Sequence, residues 1–101
     1  MNELQSLGEG KFRVSSDLTT VTVPELWAQS KKLFPPIQAS SISIDVSNVA
    51  QVDSGGLALL VAWARWANCR DKKFALHGKS EQLAILIENN QLEKLFYTAL
   101  N

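Results

Sequence analysis

Residues 41 to 46 read Ser-Ile-Ser-Ile-Asp-Val, a strict alternation of polar and apolar side chains. A period of two puts Ile42, Ile44 and Val46 on one face of a strand and the polar residues on the other. The β-branched residues on the apolar face favour that extended backbone. The next two segments narrow the fold further. A helix opens near Ser54 and runs through a nearly all-apolar stretch to about Cys69 or Arg70. After the polar break Arg70-Asp71-Lys72-Lys73, Phe74-Ala75-Leu76-His77 reads as another strand, closed by Gly78. Strand, helix and strand in that order imply a right-handed crossover and parallel pairing.

The remaining segments extend this core. Residues 3 to 7 are a weak strand, Gly8-Glu9-Gly10 is turn chemistry, and Lys11 to Ser15 alternates again, which together suggest an N-terminal hairpin. Thr22-Val23-Pro24-Glu25 has the form of a capping box, with proline in the first turn. Leu26, Trp27, Ser30, Leu33 and Phe34 follow at near-helical spacing, and Pro35-Pro36 ends that helix. Ser80-Glu81-Gln82-Leu83 starts a third helix, and Leu92, Leu95, Phe96 and Leu100 mark a last one. The order is ββαβαβαα. We therefore expect a single α/β domain over residues 1–101, with a mostly parallel central sheet, an N-terminal hairpin and about four helices.

Composition removes several function classes. Ten basic residues balance ten acidic ones, and no basic stripe is present, so nucleic acid is not an expected partner. Cys69 is the only cysteine and His77 the only histidine, which exclude an internal disulfide and a zinc site built from them. Neither a metal nor a cofactor is expected. The lone thiol fits a reducing compartment, and Cys69, near a helix end, is expected to be buried or half-buried. Residues 1 to 20 hold no apolar run fit for a signal peptide. The run Leu57 to Ala64 is far shorter than the roughly 20 residues that a membrane span needs. The expectation is a soluble cytoplasmic protein.

The segment Val52-Asp53-Ser54-Gly55-Gly56-Leu57-Ala58 carries the strongest chemical signal. Asp-Ser-Gly-Gly matches the nucleophile segment of chymotrypsin-like proteases. That fold needs two β-barrels and about twice this length. The strand-to-helix setting suits a nucleophile elbow better, but the elbow needs glycine two residues before the serine, and Val52 stands there. No Gly-Lys-Ser/Thr comes after it to make a phosphate loop. Asp53 instead reads as a helix cap that accepts from first-turn amides. Two glycines in a first turn weaken a helix, so tight packing or an accessible surface is expected there. Ser54 is then either part of a cap or a partner-contacting, regulatory hydroxyl. The residues alone leave both open.

The helix after Ser54 is too apolar for a free face. At about 100° per residue, Leu59, Leu60, Trp63 and Ala67 share one side, with Trp66 at its edge, and are assigned to the core. The opposite arc holds Ala58, Val61, Ala62, Arg65 and Cys69, with one charge among them. Such an arc is a candidate contact surface continuous with Ser54. The bland alternative is that another segment, such as the last helix, covers it.

These residues also carry a resemblance. Asp45-Val46-Ser47-Asn48-Val49-Ala50-Gln51-Val52-Asp53-Ser54-Gly55-Gly56-Leu57 resembles the core motif of STAS domains, D-[LV]-S-x-[VL]-x-x-[VIM]-D-S-[ST]-G-L. The element order agrees over nearly the whole chain. In phosphorylated anti-sigma-factor antagonists of this family the serine after the aspartate is the acceptor, the position of Ser54. The next residue departs, because Gly55 replaces Ser or Thr. Val-Asp-Ser-Gly-Gly-Leu-Ala-Leu-Leu is most similar to the STAS subunit of the Mla phospholipid-transport ABC system. That resemblance implies a non-enzymatic protein that binds the ATPase subunit at the inner face of the inner membrane, supports the assembly and activity of the transporter, and has no small-molecule substrate. The contact would run over Ser54, Gly55, Ala58, Val61, Ala62 and Arg65. The alternative is an anti-sigma-factor antagonist switched by phosphorylation of Ser54.

Overall fold

Where the chain alternates, it forms strands; where apolar residues recur at three and four, it forms helices. A computed structural model describes residues 3–92. Its elements are β1 (Leu4–Gly8), β2 (Lys11–Val14), α1 (Val23–Leu33), β3 (Ser41–Asp45), α2 (Ser54–Asn68), β4 (Lys73–His77) and α3 (Glu81–Asn89). The strands lie in the order β1-β2-β3-β4. The β1–β2 hairpin is antiparallel, and β2–β3 and β3–β4 are parallel, as the alternation of strands and helices requires. The expected last helix over Leu92, Leu95, Phe96 and Leu100 extends past the described residues, which contain three helices.

One face of the sheet is dry. Leu4, Phe12, Val14, Ile42, Ile44, Phe74 and Leu76 are all almost fully buried. They form one cluster with Leu26 of α1, Leu59, Leu60 and Trp63 of α2, and Leu83 and Ile87 of α3. All three helices therefore share that face. Phe34, the residue that ends α1, ties the layers together. Its ring lies 5.0 Å from Phe12, 5.4 Å from Trp63 edge-on, and 5.6 Å from Trp66. Such tilted aromatic pairs contribute roughly 0.5–1.5 kcal/mol each beyond area burial.

Two local expectations are corrected. The capping box at Thr22 does not form. Thr22 has a helical backbone (φ −92°, ψ −17°) and makes no side-chain cap bond. Its hydroxyl is engaged on the preceding turn, where it donates to the Asp17 carbonyl and accepts from the Thr19 amide. Glu25 accepts from Gln29 Nε2 at 3.0 Å instead of reaching back to the cap. Lys72 lies in the polar break that reads as a solvated loop, yet its ammonium donates to the Ala39 carbonyl at 2.6 Å. By contrast, Ser80 caps α3 by accepting from the Leu83 amide at 3.1 Å.

Candidate functional site

The start of α2 is held by a short parallel bridge between Leu18 and Val52. The Leu18 amide donates to the Gln51 carbonyl at 2.9 Å, and the Asp53 amide donates to the Leu18 carbonyl at 3.0 Å. Asp17 Oδ1 accepts from the Gln51 amide at 3.1 Å. Asp53 then caps the helix as its sequence position implies. Its Oδ1 accepts from the Gly56 amide at 3.0 Å, and its Oδ2 accepts from the Thr20 amide at 3.2 Å. These amides, Gly56 first, hold the Asp53 carboxyl below its usual pKa, since each favours the charged form.

The two glycines are explained by the same contact. A Cβ on Gly56 would overlap the main-chain carbonyl of Leu18. A Cβ on Gly55 would overlap the Thr20 methyl and stand 3.2 Å from the Thr20 α-carbon. The glycines thus allow the first turn of α2 to lie directly on the 18–20 backbone. Gly55 has a steric reason to be glycine that is independent of any partner, so its departure from the Ser or Thr of the STAS motif does not by itself point to one.

Ser54 opens the helix and is exposed, with Gly55 half-buried beside it. Beyond them Ala58 and Arg65 are exposed, and Val61 and Ala62 are half-buried. The core side holds Leu57, Leu59, Leu60, Trp63, Ala64 and Ala67, all buried. Trp66 lies at the edge, half-buried, with the Arg70 guanidinium 4.1 Å from its ring centre. Cys69 departs from expectation, because it is exposed. It is the C-cap residue of α2, where the chain leaves the helix before Asp71 turns with φ 58°.

Sequence reasoning missed one exposed apolar residue beside the segment that packs on the first turn of α2. Val21 is 86% exposed and follows Thr20, which abuts Gly55. Its β-branched side chain is left uncovered. It stands between threonines, outside any periodic pattern, so only its isolation in a polar turn marks it.

His77 ends β4 and lines a groove with Lys11, Ser43 and Asp45, a constellation that does not include Ser54. Among the described residues no group of His, Cys, Asp and Glu is placed to hold a metal, and no helix is long and apolar enough to cross a membrane.

A sheet with a parallel core, an N-terminal hairpin and a serine at the mouth of the helix after β3 defines a STAS domain. The chain belongs to that family: the MlaB STAS domain model matches residues 2–97. It is similar to the anti-sigma-B factor antagonists of Staphylococcus epidermidis, at 31% identity over 89 residues (86% of this chain, 80% of the relative). It is similar also to that of Staphylococcus aureus (strain NCTC 8325 / PS 47), at 30% over 100 residues (93% and 89%). Its fold matches that of a candidate anti-sigma factor antagonist of Thermotoga maritima, with TM-score 0.77, 15% identity, and 90% and 80% of the two chains covered. It also matches that of the unphosphorylated anti-sigma factor antagonist SpoIIAA, with TM-score 0.66, 17% identity, and 84% and 79% covered.

Proposed function

We propose that this protein is a non-catalytic regulator of the anti-sigma-factor-antagonist kind. It binds a protein partner through Ser54 and the outward arc of α2. The observation that carries this reading is the exposed serine on a rigidly pinned helix start, beside an outward face with a single charge. Two relatives of about 30% identity bear the name anti-sigma-B factor antagonist. Their names favour this reading over the transporter subunit that the Val-Asp-Ser-Gly-Gly motif implied.

Phosphorylation of Ser54 is the switch in this reading. A phosphoserine adds about −1.5 to −2 charge. A helix N-terminus usually welcomes such an anion, but Asp53 already occupies the Gly56 amide. The added charge is therefore left beside a carboxylate on the contact surface, where it repels an acidic partner and carries a desolvation cost against an apolar one. Incubation with the cognate anti-sigma kinase and ATP is expected to raise the intact mass by one phosphate, and Ser54→Ala to abolish the gain. An unchanged mass with an active kinase would reject the switch.

A second reading rests on the family model, whose description is MlaB, STAS domain. Here the same surface binds the ATPase subunit of a phospholipid-transporting ABC complex, and the chain meets the cytoplasmic side of the membrane only through it. Stable copurification with a nucleotide-binding subunit, without any kinase-dependent mass gain, selects this reading over the first.

A further inference from the structure

The helices cover one face of the sheet, and the opposite face carries a constellation that the partner surface does not use. Lys11 pairs with Ser43 across β2 and β3, and Asp45 with His77 across β3 and β4. Ser43 and Asp45 stand two residues apart, so both side chains rise from that face. Leu7 lies within the irregularity where the β1–β2 register shifts, and it is 46% exposed. Leu7, Lys11, Phe12, Ser43, Asp45 and His77 line a groove of about 290 Å³. That volume is at the lower end of small-molecule pockets, roughly 300 Å³ upward.

The charges in and beside the groove are unequal. Asp45 is already engaged: its Oδ1 accepts from the Ser47 amide at 2.9 Å, and its Oδ2 pairs with Arg13 Nε at 3.4 Å. Lys11 is exposed and makes no ion pair among the described residues. The groove therefore offers one uncompensated cation, a hydroxyl beside it and the exposed apolar side chain of Leu7. A dianionic phosphate calls for more positive charge, and the adjacent guanidinium is committed to Asp45. We propose that this groove binds a small amphipathic carboxylate, with its head on the Lys11 ammonium and the Ser43 hydroxyl and its short apolar tail along Leu7. The ligand is bound, not transformed, and its site is separate from the Ser54 surface.

The test uses amide spectra of the ¹⁵N-labelled full chain titrated with sodium hexanoate, with hexylammonium chloride and hexanol as parallel arms. Hexanoate is expected to give saturable shifts at Leu7, Lys11, Ser43 and His77, with a Kd of about 1 mM, ordinary for so small a ligand. Lys11→Gln, at an exposed position, is expected to keep the dispersed spectrum and weaken binding by roughly fivefold, the upper range for one exposed charge pair. Ser43→Ala is expected to weaken it less. Ser54→Glu is expected to leave it unchanged. The proposal is overturned if hexanoate gives no saturable shifts there, if hexylammonium binds equally well, if Lys11→Gln binds like the parent, or if Ser54→Glu abolishes the shifts.

Discussion

Gly56 rests its bare α-carbon against the main-chain carbonyl of Leu18, with no room for a methyl group between them. The obstacle is backbone, and the same Leu18 carbonyl accepts from the Asp53 amide at 3.0 Å, so it cannot move aside without breaking the bridge that positions Ser54. Gly56→Ala is expected to destabilise the domain by about 3 kcal/mol, the upper range for overpacking, although alanine is the better helix former. In thermal unfolding this is a fall of roughly 12–24 °C for a domain of this size. An unchanged midpoint would show that the 18–20 segment yields easily.

Gly55 meets a softer neighbour. The Thr20 methyl that fills its Cβ position belongs to an exposed side chain that can rotate. Gly55→Ser, which restores the hydroxyl of switched STAS relatives, is expected to cost only about 1 kcal/mol. In a Thr20→Ala background the penalty should shrink by at least about 0.5 kcal/mol, a coupling that a double-mutant cycle in urea resolves. Additive effects would place the strain elsewhere.

Asp53 makes stability depend on acid. Its folded pKa is lowered by the Gly56 and Thr20 amides, and that of Asp45 by Ser47 and Arg13. The contribution of each is present above the unfolded carboxylate pKa, about 3.9, and is lost as pH falls through that value towards the folded one. Asp53→Asn is therefore expected to be less stable than the parent at neutral pH, with a gap that narrows below about pH 4. Chemical denaturation of both proteins across that range checks it. A constant gap would mean that the cap acts through shape and not charge.

The fold was largely legible because its signals are periodic. Alternation at 41–46 and the apolar stretch after Ser54 each bury a defined face, and burial overrides weaker preferences. Asp53 was legible for the same reason, since a cap is dictated by where the helix must start. The failed box at Thr22 had the right letters, but a turn at Thr19 took its hydroxyl first. Thr20 and Val21 came to the site through the Leu18–Val52 bridge, between segments far apart in the chain. No local pattern announces such a contact. Gly55 shows the opposite limit: a motif difference that looked functional has a local steric cause.

Val61 is half-buried and packs against the core at the edge of the arc that begins at Ser54. A charge there is expected to be tolerated by the fold, because the side chain can turn to water. It should not be tolerated by a partner that packs over Ala58 and Ala62. Val61→Glu is thus expected to shift the unfolding midpoint only modestly, by roughly 1 kcal/mol or less, while it removes complex formation.

The most direct measurement is the affinity of the purified chain for the proposed partner, an anti-sigma factor, with Val61→Glu and Lys11→Glu compared in one calorimetric series. A loss of at least about tenfold, or 1.4 kcal/mol, is expected for Val61→Glu, and parent-like binding for Lys11→Glu on the opposite face of the sheet. Parent-like binding by a folded Val61→Glu protein would contradict the proposed contact surface.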